Sequence, residues 1–278
     1  RHKRTPFFTT SQGDARHRCR DGLVVIGAKQ ELVCKLAYGP WDKDLEDEDV
    51  ELFVRLDGSK EWLRVGVART ARGSSRNDER GFPDRGGWLA LPIPDADRLP
   101  AGRHRFRAVV RGDGSAAEGV LWVREPGSAI VIFDIDGTLT IGDGELPREL
   151  SAAGVGTSYH PKIRPGAAEV VATRFAAGAL PVYLSARCDQ LSPRTRSWLE
   201  AEGLQEGPLR LQTGIAGSLS KDRTQRYKQR VIHDLLEQGL KIVAAYGNAR
   251  TDIDAYLEAG LDPGQVFIIG SHRGEQGT

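Results

Sequence analysis

Ala129-Ile130-Val131-Ile132-Phe133, followed at once by Asp134-Ile135-Asp136-Gly137-Thr138, is an apolar run that ends in two carboxylates and a glycine. The run is continuous rather than alternating, as in a strand covered on both faces of a parallel sheet. In open parallel α/β sheets, ligands bind beyond the carboxyl ends of the strands, which is where this run changes character. Two carboxylates two residues apart can converge on one site there, one attacking phosphorus and the other handling a proton. Gly137 lets the chain turn sharply away from the strand. Taken alone, Asp-x-Asp also reads as a turn or a fragment of a calcium loop.

Reading downstream, apolar stretches alternate with helical patterns. The spacing predicts helices over 166–178, 192–203, 222–238 and 251–258, and strands over 181–185, 208–211, 241–246 and 265–269. This alternation is the signature of a doubly wound, three-layer, Rossmann-like α/β fold. Polar residues of chemical use sit at successive strand ends. Strand 181–185 ends in Leu184-Ser185-Ala186-Arg187, where a hydroxyl and nearby backbone N–H groups suit a phosphate oxygen. Strand 241–246 runs into Gly247-Asn248-Ala249-Arg250-Thr251-Asp252. Asn248 and Asp252 are oxygen ligands of the kind magnesium prefers, while helix capping by Asn248 is the plainer reading. Lys228 lies early in helix 222–238, with Lys221, Arg223 and Arg226 as competitors for any phosphate contact.

Upstream, the pattern is different. Short apolar stretches at 23–26, 31–36, 50–56, 62–67, 87–91, 104–110 and 120–123 are broken by Gly, Pro and Asp. Partial alternation in 50–56 and 104–110 suits antiparallel strands with one buried face. Such a series argues for a β-sandwich of immunoglobulin-like type. The expected organisation is therefore a basic arm over 1–20, a sandwich over 21–126 and an α/β domain over 127–278, with the change of character near Glu125-Pro126-Gly127-Ser128.

At this point the ordered segments Val131–Thr138, Lys162–Ala167, Tyr183–Arg187, Ala244–Asn248 and Gln265–Gly270 can be read together. They resemble the signature motifs of haloacid dehalogenase superfamily phosphatases. Within that superfamily they are similar to lipin-type phosphatidate phosphatases, and still more to the C-terminal domain of membrane-associated phosphatidylinositol-transfer proteins. The resemblance covers about half the chain. It implies Asp134 as nucleophile and Asp136 as acid and then base. It further implies Mg²⁺ on Asp134, the Asp136 carbonyl and Asn248, with Asp252 as ligand or behind it. Ser185, Ala186, Lys228, Gly137 and Thr138 would hold the phosphoryl group. The transfer-protein domains lack a full carboxylate pair and sense phosphatidate without hydrolysing it. This chain keeps both Asp134 and Asp136, so the expectation is a Mg²⁺-dependent phosphatidate phosphatase. A phosphatase for another exposed phosphomonoester, or a non-catalytic phosphatidate-binding module, is the alternative.

Spacing bears on the substrate. Only 51 positions separate Asp134 from Ser185 and 43 separate Ser185 from Lys228, which leaves no room for a large cap domain. An open site suits a phosphate presented on a surface, such as a phospholipid headgroup. The net charge of +1 supplies no global field for nucleic acid. No apolar run is long enough to span a bilayer, so membrane contact is expected to be peripheral. The arm with Phe7 and Phe8, and Arg72, Arg76, Arg80 and Arg85, are the basic candidates for it. The acidic run Asp42–Glu51, with seven acids and one lysine, reads as a solvated loop or a calcium ligand set. Three cysteines leave a Cys19–Cys34 bridge possible, and the absence of methionine reads as a mature or trimmed chain.

Overall fold

The computed structural model describes residues 7–11, 13–73, 86–154, 159–214 and 220–278. The chain divides into two compact units, 1–125 and 126–278. Arg76, Arg80, Arg85 and part of the basic arm lie outside the described residues.

In the first unit, β1 (Arg18–Arg20), β3 (Glu31–Lys35) and β8 (Trp88–Pro92) form one sheet in the order β1-β3-β8. A second sheet contains β2 (Gly22–Val25), β6 (Asp49–Arg55), β7 (Leu63–Arg69), β9 (Gly102–Val110) and β10 (Ala116–Arg124), in the order β2-β10-β9-β6-β7. A short hairpin pairs β4 (Ala37–Tyr38) with β5 (Lys43–Asp44). The period-2 rule sets the faces: Val50, Leu52 and Val54 of β6 turn inward while Glu51, Phe53 and Arg55 turn outward. The inward set packs with Leu32, Cys34, Leu89, Phe106, Ala108 and Leu121 into one core.

The expectation of purely antiparallel pairing fails at one place, since β2 runs parallel to β10. Strands β1 and β2 are nearly continuous, and Asp21 between them is buried, with Oδ1 accepting the Val120 N–H at 2.9 Å. The chain thus changes sheets at Asp21 without reversing direction.

Cys19 and Cys34 face each other across β1 and β3 and are disulfide-bonded. The acids of the 42–51 run are largely spent on cations rather than gathered around a vacancy. Asp42 takes a bidentate contact from Arg18, Asp44 pairs with Lys35, and Asp47 pairs with Arg72.

The second unit is built on a five-stranded parallel sheet: β11 (Ala129–Phe133), β12 (Leu180–Cys188), β13 (Leu209–Gln212), β14 (Lys241–Gly247) and β15 (Val266–Ile268). Its order is β13-β12-β11-β14-β15, so the direction of winding reverses between β11 and β14. That reversal opens a crevice at the carboxyl edge of the sheet. Ile130, Val131 and Ile132 of the central strand are all fully buried, which requires cover on both faces. Five helices accompany the sheet: α1 (Glu145–Gly154), α2 (Ala167–Ala176), α3 (Ser192–Ala201), α4 (Lys221–Glu237) and α5 (Arg250–Glu258). Val171 of α2 and Trp198 and Leu199 of α3 pack with Val131 and Phe133 on one side.

Four of these helices fall within a few residues of the sequence expectation. Helix α1 and the last three residues of β12 were not anticipated. The alternation rule has no signal for a polar strand end that is held by buried ion pairs.

Candidate functional site at the carboxyl edge of the parallel sheet

The site begins where β11 stops. Asp134 stays extended and its N–H donates to the Tyr246 carbonyl of β14 at 3.0 Å, so the strand's last pairing aims its carboxylate into the crevice. The chain then coils tightly over Ile135–Leu139, with Gly137 at φ +76°. A Cβ at Gly137 would lie 2.1 Å from Asn248 Nδ2 and 2.3 Å from Asp143 Oδ1, so both the backbone angle and the space require glycine. Arg164 fixes this turn by donating to the carbonyls of Gly137 (2.6 Å), Thr138 (3.0 Å) and Ile141 (3.2 Å).

Two buried ion clusters flank the crevice. In the first, Lys228 Nζ donates to Asp134 Oδ1 and to Asp252 Oδ1, each at 2.6 Å. Lys221, Arg223 and Arg226 are exposed, so among the basic residues considered on α4 Lys228 alone is placed inside. Burial works against the Lys228 ammonium, but the Asp134 and Asp252 carboxylates keep it charged well above the ordinary lysine range. Burial likewise pushes the Asp134 carboxyl up to about 7, with the Lys228 ammonium opposing it.

In the second cluster Arg187 is fully buried. It donates through Nε and Nη2 to the two oxygens of Asp136 at 2.9 Å each, and through Nη1 to Glu149 Oε2 at 3.1 Å and Thr195 Oγ1 at 3.3 Å. Burial raises Glu149 above the usual carboxylate range, with Arg187 opposing. Ser185 Oγ donates to Asp136 Oδ2 at 3.3 Å and accepts the Arg187 N–H at 3.1 Å.

Asn248 and Asp252 divide their labour. Asp252 Oδ2 accepts the backbone N–H groups of Asn248 and Ala249, both at 3.0 Å, so α5 is capped from Asp252 and not by the Asn248 side chain. That frees the Asn248 amide to face the crevice, where Oδ1 accepts from Thr138 Oγ1 at 3.3 Å and Nδ2 donates to Asp143 Oδ1 at 2.9 Å. With its other oxygen on Lys228, Asp252 holds the neighbours of a ligand set. Ser185, Thr138, Asp134, Asp136, Lys228 and Asn248 are thereby brought to one place, and Ala186, next to Ser185, is half-buried.

Four residues with roles here were not singled out from sequence. Arg187 and Glu149 form the second cluster, Asp143 reaches Asn248, and Arg164 pins the turn. The signal for Arg187 was its place two residues beyond Ser185 on the same strand, which gives the two side chains one facing. Glu149 and Asp143 carry no such signal.

The donor set fits a divalent cation of the magnesium type. Among the described residues four carboxylates (Asp134, Asp136, Glu149, Asp252) share the two buried cations Lys228 and Arg187, and burial raises Asp134 and Glu149 against them. The remaining first contacts are oxygens, as hard cations prefer, and Gly137 leaves a cradle that any side chain would fill. Outside these groups the crevice opens into a cavity of about 620 Å³ lined by Gly137, Asp143, Arg164, Lys221, Asn248 and His272, among others.

A parallel α/β sheet with an Asp-x-Asp turn after its central strand, a strand-end serine, a buried lysine and a Gly-Asn turn defines a haloacid-dehalogenase-like domain. Residues 131–270 match the LNS2 domain of PITM 1-3, and residues 15–123 match the PITM 1-3 beta-sandwich domain. The chain belongs to this family. It is 30% identical over 259 residues to protein retinal degeneration B of Drosophila melanogaster. To membrane-associated phosphatidylinositol transfer protein 1 of Rattus norvegicus it is 31% identical over 257 residues. These alignments take in 92% and 91% of this chain, but the chain spans only 18% of the length of each relative. Among solved structures, the Pnkp1/Rnl/Hen1 RNA repair complex overlays on 51% of this chain and 42% of that chain at a TM-score of 0.42 and 18% identity, too loosely to argue from. Among the described residues no helix is long and apolar enough to cross a membrane.

Proposed function

We propose that the second unit is a Mg²⁺-assisted receptor site for the phosphomonoester headgroup of a membrane lipid of the phosphatidate class, built for binding more than for turnover. The observation that carries this reading is the pairing of Asp136 with Arg187. A group that must hand a proton to a leaving alcohol is here an acceptor on both oxygens for a buried guanidinium. Arginine donates and never accepts, so this arrangement positions Asp136 as a charged partner.

Binding follows from the remaining residues. Mg²⁺ would be held by Asp134, the Asp136 carbonyl and Asn248, and would supply the positive charge that lets a phosphate dianion approach an acid-rich crevice. The Thr138 and Ser185 hydroxyls would turn to phosphoryl oxygens from Asp134 and Asp136, joined by the Ala186 N–H, while the Gly137 N–H is spent on Thr140 Oγ1. Lys228 keeps Asp134 and Asp252 in place. Several relatives are named as membrane-associated phosphatidylinositol transfer proteins, which supports a lipid as the bearer of the phosphate.

The intact Asp134 and Asp136 pair favours a second reading, hydrolysis through an aspartyl-phosphate. In it an Asp134 oxygen bonds to phosphorus while the ester P–O bond breaks. The alkoxide takes a proton from Asp136, which then draws a proton from the water that cleaves the aspartyl-phosphate. For this to happen Asp136 has to leave Arg187 and gain a proton.

Co-sedimentation of the full chain with phosphatidylcholine vesicles carrying either phosphatidate or phosphatidylserine at matched charge, in Mg²⁺ or EDTA, tests the binding reading. The expected result is tighter binding to phosphatidate than to phosphatidylserine, a preference that needs Mg²⁺ and is lost in Asp134→Asn. A preference unchanged in EDTA, or no preference for phosphatidate, overturns it.

A further inference from the structure

The outward face of the five-stranded sheet in the first unit carries an arrangement that a sheet on its own disfavours. Strand β9 turns Arg103, Arg105 and Arg107 to this face at every second position. Arg105 stands directly opposite Arg55 of β6, and Arg107 stands in the row of Phe53 and Arg64. Like charges directly opposite each other on a sheet are destabilising. Among the described residues three carboxylates share the face, and Asp49 is taken by Arg69 of β7. Glu118 serves Arg107 and lies 4.0 Å from Arg105, and Glu51 is divided between Arg64 and Arg111. Asp57, at the hairpin nearby, turns an oxygen inward to the Arg103 backbone N–H.

The Arg55 guanidinium is held in place without being neutralised. Arg55 and Arg107 both stack on Trp62, at 5.1 Å and 4.6 Å from the ring centre. Arg55 has no hydrogen-bond or ion-pair partner among the described residues, and Arg105 Nε has no acceptor among them. Arg64, Arg105 and Arg107 keep between 40% and 51% of their side-chain surface open. Beside them on the same face the edge strand β7 exposes Val67, which stands opposite Glu51.

We propose that this face docks on an anionic phospholipid bilayer. Neighbouring arginines repeat at about 7 Å along a strand and about 4.8 Å between strands, a flat lattice of forks that matches phosphate oxygens. Trp62 and Val67 give the apolar contact of an interfacial anchor. Charge complementarity selects the occupant: the lipid phosphates relieve the Arg55–Arg105 repulsion that the fold otherwise carries. The overall net charge of +1 gives no long-range pull toward a nucleic acid.

The test uses the full chain in EDTA with vesicles containing phosphatidylserine and no phosphatidate, so that the acid-lined crevice of the other unit takes no part. Binding is expected, and it weakens as salt rises. Arg55→Gln with Arg105→Gln is expected to bind about 30-fold more weakly, from about 1 kcal/mol per basic residue at the surface, while melting no lower than the parent. The charge-keeping pair Arg55→Lys and Arg105→Lys retains binding, as does Lys29→Gln with Lys241→Gln, which makes the same change in net charge elsewhere. The proposal is overturned if the parent ignores phosphatidylserine vesicles, if the glutamine pair binds like the parent, or if the distant lysine pair loses as much. Retention on nucleic acid without vesicle binding also overturns it.

Discussion

Replacing Arg187 by methionine perturbs the candidate site at its most buried charge. The side chain is fully enclosed, and its guanidinium reaches Asp136 twice at 2.9 Å and Glu149 once at 3.1 Å. Methionine fills much of the volume of the arginine stem but supplies no donor, so two carboxylates are left facing each other without a counter-charge. Removing one partner of a buried pair costs about 3–5 kcal/mol, because the remaining charge stays desolvated. For a unit of this size, each kcal/mol moves the melting temperature by roughly 2–4 °C. Arg187→Met is therefore expected to lower the melting transition of the second unit by roughly 6–20 °C. Adding Glu149→Gln removes one stranded charge and is expected to restore about 1–3 kcal/mol as a coupling energy. Urea unfolding followed by circular dichroism, on the parent, both single variants and the double, gives the cycle. A loss below about 1 kcal/mol in the single variant, or a double variant no more stable than Arg187→Met, would refute the reasoning that these residues form one buried network.

Lys228→Met strands Asp134 and Asp252 in the same way, at a cost of about 3–5 kcal/mol; millimolar Mg²⁺ is expected to recover part of it in a thermal melt, and no effect of Mg²⁺ would count against Asp134 as a ligand. Gly137→Ala forces a Cβ into Asn248 and Asp143 at a positive φ, so Mg²⁺ protection against unfolding is expected to vanish even where the variant folds; protection equal to the parent's contradicts the cradle. Reducing the Cys19–Cys34 bridge, which spans 15 positions, is expected to cost the sandwich about 3 kcal/mol, read as a lower urea midpoint with dithiothreitol that Cys19→Ser with Cys34→Ser reproduces.

The α/β unit was legible because its elements announce themselves locally. Ile130 to Phe133 are apolar on both faces, and the helices repeat at 3.6 residues. The polar strand ends were legible as positions, and the structure brings Asp134, Asp136, Ser185, Lys228 and Asn248 together. Their state of pairing was not legible. Nothing local in Lys228 says that it reaches across 94 positions to Asp134, and nothing in Glu149 says that it shares an arginine with Asp136. Those contacts depend on long-range packing, and they bear on whether the site turns over or only binds. The sandwich was less legible. Its alternation showed which residues face inward, but the parallel β2–β10 pair follows from a buried aspartate between two strands, which alternation does not encode.

Phosphorus NMR of a short-chain phosphatidate incubated with stoichiometric protein and Mg²⁺ tests the central claim most directly. The account predicts a shifted or broadened phosphomonoester resonance that is lost with EDTA or Asp134→Asn, and that persists without any growth of inorganic phosphate. A phosphate signal that grows with time and depends on Asp134 would contradict it and establish hydrolysis instead.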